Sequence, residues 1–403
     1  MLSGELKTVV DTGKLNISML QNAVSFFKDK QVVCNLHDFS PIRKPESKQL
    51  GSLGVVRDLD NILVPGYDTF CSMMVDVKGK SLRLLSITPF SNGEENFVSR
   101  SERYAFERGR LDSNRSEQIA CFDAAGTSFN QKDVVFNQLK SINTKIKAEH
   151  PGLTVIDIFD RGFDDTALFD LQATMGNEFI VRGKANRNGD ELQVTREGKV
   201  QPVKLIRQTF TKGDEQAYQQ IIFKGRTYKN ATGVFEWNEV RIGSQVCSVL
   251  RVRFYKKDGS RIFKDDMLLI TSMYIADVKM ACTIWELYMQ RSKAEAVFRF
   301  CKQELGWETP RIHDWTTMQN LLSMVYFIAG YFYEIEDQLA KDPSIQWLAQ
   351  LGNGKGKVTP HFILKGIAKL IAFLEIQKQL EQNQIQPHLL QMAQQIYDAR
   401  NNL

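Results

Sequence analysis

Tyr288-Met-Gln-Arg291-Ser-Lys-Ala-Glu295-Ala-Val-Phe-Arg-Phe-Cys-Lys302 is the stretch on which the reading of this chain turns. It contains no Pro or Gly, and Ala, Glu, Lys, Gln, Met and Arg dominate, so it is expected to be helical. At about 100° per residue, Arg291, Glu295 and Lys302 fall within about 60° of Tyr288 around the axis. An apolar stripe of Leu287, Ala294, Phe298, Cys301 and Leu305 runs beside them. A charged helix face is usually only solvated. Here one carboxylate is flanked by cations and joined by a phenol, which suits metal-assisted chemistry on a polyanion.

Length and composition bound the rest. A chain of 403 residues with 43% hydrophobic content can bury a large core in two or three domains. A net charge of +5 does not by itself name a nucleic-acid partner. The six cysteines, Cys34, Cys71, Cys121, Cys247, Cys282 and Cys301, form no CxxC pair, which argues against a zinc site and a disulfide framework. No signal peptide and no membrane span is read, and a cytoplasmic, nucleoid-associated protein is expected.

Outward from the quoted stretch, the pattern reads as α/β. Asn16–Lys28 is expected as a helix, as part of a short N-terminal segment over 1–30. Gln31–Asp38 reads as a strand stopping at an acid, with 39–50 a loop containing Pro and Lys. Thr69–Val77 and Ser81–Pro89 read as strands joined by the turn Lys78-Gly79-Lys80. Gln118–Asp123 reads as a short strand and Asn130–Glu149 as a helix. After Pro151-Gly152, Leu153–Asp160 is a buried-type strand that again ends at an acid. A helix over Thr166–Ala173 and a strand over Glu178–Arg182 complete a first core segment, 31–184.

Between 185 and 262 helical periodicity disappears. Val203–Thr209, Tyr218–Phe223 and Val246–Phe254 read as strands, and the segment holds 15 Lys and Arg against 8 Asp and Glu, a surplus of seven. It is expected to be a basic β-rich insertion. The core resumes over 263–334 with the strand Met267–Thr271, a continuous helix Ile275–Leu305 and a helix Thr316–Tyr333. The stretch 335–403 reads as a helical tail, with His361–Lys378 and Leu389–Arg400 as its helices and a Gly/Lys loop over Gly352–Lys357.

Two strands ending in Asp and one helix presenting Glu form a set. Acids at strand ends sit at the rim of a sheet, where α/β folds bind ligands. Three carboxylates can hold two Mg²⁺ or Mn²⁺ ions, hard cations that prefer oxygen donors. The matching chemistry is in-line phosphoryl transfer, one ion activating a water or 3′-hydroxyl and the other stabilising the leaving oxygen. Rival acids read otherwise: Asp123 as a turn cap, Asp157 as a polar edge residue of its strand, and Asp164 as either a helix N-cap or part of the site. No G-x-G-x-x-G, P-loop or G-x-S-x-G occurs, and the five His show no metal spacing. His37 points to the opposite strand face from Asp38.

The spacing Y-x2-R-x3-E-x6-K resembles the signature of bacterial insertion-sequence DDE transposases. Val-Cys-Asn-Leu-His-Asp38-Phe-Ser40 resembles the family's first acidic motif. Asp160-Arg161-Gly-Phe-Asp164 is similar to its second, and Leu268-Leu-Ile-Thr271 followed by Tyr288, Arg291, Glu295 and Lys302 to its third block. Similarity runs in order over about 31–330. The resemblance implies a ribonuclease-H-like mixed sheet core, with the β insertion before the catalytic helix. It implies Asp38, Asp160 and Glu295 as a catalytic triad binding two Mg²⁺ or Mn²⁺ ions, and Tyr288, Arg291, Lys302 and Arg161 as DNA contacts. The partners implied are double-stranded DNA, at transposon ends and target, and a second copy of the chain when ends are paired. Fewer residues precede Asp38 than is usual in the family, Met267 stands where hairpin-forming members have Trp, and Ser292 replaces the Trp after the signature Arg. Trp237 is the nearest ring for a flipped base, against an ordinary reading as a packed strand aromatic. The alternatives are a metal-dependent nuclease of the same fold and a former transposase kept as a DNA-binding protein.

Overall fold

Strand β1, Val32–Arg43, runs further than its sequence suggests. In the computed structural model, which describes residues 11–58, 60–184, 192–196, 199–202, 209–210, 212–223, 226–382, 391–392 and 395, Asp38 lies inside this strand. The expectation that the strand stops at Asp38 is therefore corrected. Up to His37, β1 lies between β5 (Thr154–Phe159), parallel to it, and β3 (Leu63–Asp76), antiparallel to it. Beyond His37 the ladder with β3 continues while that with β5 ends. That open side explains how Pro41 fits within a strand. The Pro41 carbonyl accepts from Lys302 Nζ at 2.6 Å. A strand residue's N and O point the same way, so the missing N–H breaks no ladder bond.

Around β1 the sheet order is β2-β3-β1-β5-β6-β12-β11-β10-β7-β8, with β4 on β3 and β9 on β10. Here β2 is Gly54–Arg57, β4 Leu82–Phe90 and β6 Glu178–Arg182. The remaining strands are β7 Leu192–Arg196, β8 Lys199–Pro202, β9 Lys212–Phe223, β10 Arg226–Ile242, β11 Gln245–Tyr255 and β12 Met267–Thr271. β12 pairs antiparallel with β6 and β11 with β12, so the β-rich segment extends the core sheet edge to edge. The expected strand Val203–Thr209 lies outside the described residues apart from Thr209, and the expected helix Leu389–Arg400 falls mostly outside them.

Helix α1, Thr12–Phe26, is capped by Asp11, and α4, Gln131–Glu149, by Asn130 in a capping box with Asp133. Val33, Asn35 and His37 of β1 share a face with Val155, Asp157 and Phe159, their register partners in β5. Both helices cover this face, where Val24, Ile142 and Ile146 cluster with Val33 and Val155. Between the two helices in sequence lie α2, Arg100–Glu107, and α3, Ser113–Ala124. The short strand expected at Gln118–Asp123 is thus a helix. Asp112 caps it by accepting from Arg115 N at 2.8 Å, and its single described buried residue is Ile119. Four apolar residues in a row imitated a strand there.

Asp157, expected at an edge, lies at the centre of the sheet. Its carboxylate meets His37 Nε2 at 3.0 Å and accepts from Asn35 at 3.0 Å and Asn177 at 2.9 Å. His37 Nδ1 meets Ser72 Oγ at 2.7 Å on the same face, so His37 belongs to a buried network behind the rim.

After β5 come a single 3₁₀ turn, Arg161–Phe163, and α5, Thr166–Met175. The expected continuous helix after β12 is in fact two, α6 (Val278–Met289) and α7 (Ser292–Gln303). Between them the i→i−4 ladder tightens: Gln290 N bonds Leu287 O, Arg291 N bonds Tyr288 O, and Lys293 N bonds Gln290 O. Ser292 Oγ donates to Met289 O at 3.0 Å, satisfying a carbonyl that the break leaves over. Helix α8, Trp315–Leu339, follows, then α9, Pro343–Leu351, and α10, Pro360–Glu381. The chain divides into compact units Met1–Gly330 and Tyr331–Leu403. In the second, α9 and α10 pack with Gly352 against the Phe362 carbonyl and Gly366 against that of Leu348, where a Cβ would collide with backbone.

Strands β1, β5 and β6 are parallel and β3 and β4 antiparallel, in the order β4-β3-β1-β5-β6. With helices on both faces this is the expected ribonuclease-H-like α/β core.

Candidate active site

Strand register brings the first two acids together. His37 and Phe159 are the last parallel partners of β1 and β5. One residue further along each chain stand Asp38 and Asp160, on strands about 4.8 Å apart. Asp160 keeps extended backbone, φ −78° and ψ 177°. Alternation therefore turns both carboxylates to the face opposite His37. Helix α7 lies against β1 on that face and carries Glu295 in its first turn.

Arg291, in the tightened turn before α7, joins the acids. Its Nη1 is 2.6 Å from Asp38 Oδ2 and its Nη2 2.7 Å from Glu295 Oε1. Burial pushes the Asp38 carboxyl up to about 6; Arg291 opposes that rise, and the charges of Asp160 and Glu295 reinforce it. Burial works against the charge of Arg291, but Asp38, Asp160, Tyr288 and Glu295 outweigh it and hold the guanidinium protonated. Two of the three acids therefore bond one cation, and the charge of the third, Asp160, acts on it. Glu295 is the most open, with 56% of its side chain exposed against 16% for Asp38.

The other expected site residues divide. Arg161 is exposed on its 3₁₀ turn, directly after Asp160. Tyr288 is buried at the end of α6, so the single polar helix stripe is corrected: the break places it on a different helix from Glu295. Burial raises its phenol's pKa, and the charges of Arg291, Asp160 and Arg182 act on it. Lys302 points inward rather than to a shared outer target. Its Nζ donates to Pro41 O and lies 3.7 Å from Glu308 Oε1.

Glu308 was not anticipated. Its carboxylate takes two bonds from the Arg43 guanidinium, at 2.9 Å each, and one from Arg43 N at 3.1 Å, and its carbonyl accepts from Lys44 Nζ at 2.7 Å. Arg182, at the end of β6, was also missed; a strand running to the same rim was the available signal. The rival acids are occupied. Asp123 ends α3 in an ion pair with Arg103 at 2.6 Å. Asp164 accepts from Lys184 N at 2.8 Å, while the cap of α5 is Asp165. Trp237 is a buried strand aromatic on β10.

Among the described residues, no three Asp, Glu, His or Cys side chains stand close enough, as arranged, to hold an ion. The donor chemistry still fits a hard divalent cation. Two carboxylates already share a positive group, and a third, Asp160, follows the neighbouring strand at the same rim. What stands between them is Arg291.

An α/β core with acids from two neighbouring strands and a helix on one rim defines a ribonuclease-H-like protein. Residues 138–331 match the family model of the transposase DDE domain. Over that segment, which includes Asp160 and Glu295, the chain is similar to the DDE domain of transposases. No curated protein matches the sequence. Among the described residues no helix is long and apolar enough to cross a membrane.

Proposed function

We propose that this protein is a transposase that cleaves DNA at the ends of its element and joins the freed 3′-hydroxyl to target DNA, with Asp38, Asp160 and Glu295 as the catalytic acids. The observation that carries the reading is the convergence of Asp38 and Glu295, from opposite ends of the core, on one positive group beside Asp160. These three carboxylates would hold Mg²⁺ or Mn²⁺, two ions in all. When bound, the ions supply activation of the attacking oxygen and charge stabilisation at the leaving one. The chain's own residues do the rest. The strands β1 and β5 fix two acids on a rigid rim, and α7 brings the third. Arg161 and Arg291 supply positive charge for the DNA backbone. Tyr288 and Lys302 buttress that surface from beneath, through Arg291 and Pro41 respectively. Two copies would act together, because two ends must be paired.

The test is Mg²⁺-dependent cleavage of DNA carrying the element's ends. Asp38→Asn, Asp160→Asn and Glu295→Gln should each reduce the rate by at least on the order of 10²–10³. Equal cutting by all three variants and the unaltered protein would remove the triad. A strand-transfer assay on pre-cleaved ends separates a transposase that joins from a nuclease that only cuts.

A further inference from the structure

We propose that Arg291 is a built-in placeholder for the metal: in the free protein it occupies the acid pair, and it exchanges those carboxylates for a DNA phosphate when a divalent cation enters. The inference rests on the metal-binding reading of Asp38 and Glu295.

Three observations support it. First, the guanidinium bonds two acids: Asp38, 253 positions away in the chain, at 2.6 Å, and Glu295, in the first turn of the helix that follows, at 2.7 Å. A cation entering there must take the same oxygens. Second, Arg291 is only 16% exposed, so metal entry would strand a partly desolvated charge. Such a charge requires a new anion. The arriving anion is the substrate's own phosphate, which a planar guanidinium binds with two parallel hydrogen bonds. Third, Arg291 sits in the 3₁₀ turn between α6 and α7, where the helical ladder is already interrupted. Turning this side chain away breaks no regular helix. The consequence is linkage: metal and DNA bind more tightly together than either does alone, because each completes what the other leaves unpaired.

Two measurements decide it. Mn²⁺ titrated into the DNA-free protein, followed by calorimetry, should bind Arg291→Met at least about tenfold more tightly than the unaltered chain, since no resident cation competes. Arg291→Gln should behave likewise, and circular dichroism and thermal melting establish that both variants are folded. Separately, the anisotropy of a labelled duplex should show that Ca²⁺, at matched ionic strength, tightens DNA binding by the unaltered protein about 5–150-fold. Arg291→Met should lose that response. If both Arg291 variants bind Mn²⁺ as the unaltered chain does, while Asp38→Asn and Glu295→Gln lose it, the placeholder is overturned and the metal site stands. If Asp38→Asn and Glu295→Gln bind Mn²⁺ unchanged, the metal-site reading itself fails. An equal Ca²⁺ response in both proteins overturns the exchange.

Discussion

Residue by residue, the polar positions around the rim do different work, and mutation should separate them. Arg161 is exposed, so Arg161→Ala should leave thermal stability unchanged and flatten the salt dependence of DNA binding by about 0.9 log units per decade. Lys302 is tied to Pro41 O and faces Glu308. Lys302→Met leaves Pro41 O without its donor and the Glu308 carboxylate with Arg43 alone, and should cost about 1–3 kcal/mol in denaturant unfolding. Near Lys302, burial pushes the Asp68 carboxyl up from 3.8 to about 6, with the Lys302 charge pulling it down. Because the folded state holds that proton more tightly, stability falls as pH rises from about 4 to about 6. Asp68→Asn should therefore gain on the order of 1–3 kcal/mol over the unaltered chain above pH 6, and nothing near pH 3. A gain independent of pH would show that the charge is not its cause. Residue types disclosed which side chains could carry chemistry, because acids at strand ends and cations on helices are local patterns. They did not disclose that Lys302 turns inward. Its carbonyl partner at Pro41 and its carboxylate at Glu308 are tertiary neighbours, and no local pattern encodes them.

Secondary-structure elements whose cause is local matched the sequence reading. β6 and β12 begin and end where their composition places them, and α4 starts after the Asn130 cap. The departures have tertiary causes. β1 continues through Pro41 because one of its sides is open there, and the helix before Glu295 breaks at Gln290–Arg291 without Gly or Pro. The capping box at Ser99-Arg-Ser-Glu102 was a local signal for α2 that went unused. The rim's first acid depends on β1 lying flush against β3, and Gly66 sets that contact. A Cβ at Gly66 would meet the Ile42 carbonyl and Val56 Cγ2, on β1 and β2. Gly66→Ala should therefore cost about 1–3 kcal/mol through strand displacement. Equilibrium unfolding measures it, and a cost within experimental error would mean that the strands have slack to yield.

At the scale of the whole core, the β-rich segment is joined to the site by more than sheet edge. Trp285, on α6, packs against three rings from that segment: Phe254 at 4.8 Å, Tyr218 at 5.8 Å and Phe235 at 6.3 Å between centroids. Phe254 packs in turn on Phe263 at 5.4 Å. Helix α6 leads directly into the turn bearing Arg291 and then to Glu295, so this aromatic cluster is the footing of the helix pair that completes the acid set. The composition of 185–262 announced strands and positive charge, but the cluster assembles from positions far apart in the chain and was not readable. It predicts one cooperative unit. Trp285→Ala and Phe254→Ala should each cost about 3–5 kcal/mol, because each leaves a cavity in a packed interior. Their effects should be coupled by about 0.5–3 kcal/mol in a double-mutant cycle. Both should shift the same unfolding transition as Phe159→Ala, a fully buried ring beneath the acids. Calorimetry checks this: a separate, lower-temperature transition for the Phe254 variant, with the Phe159 transition unmoved, would make the β-rich segment an independent domain and remove the mechanical link to Glu295.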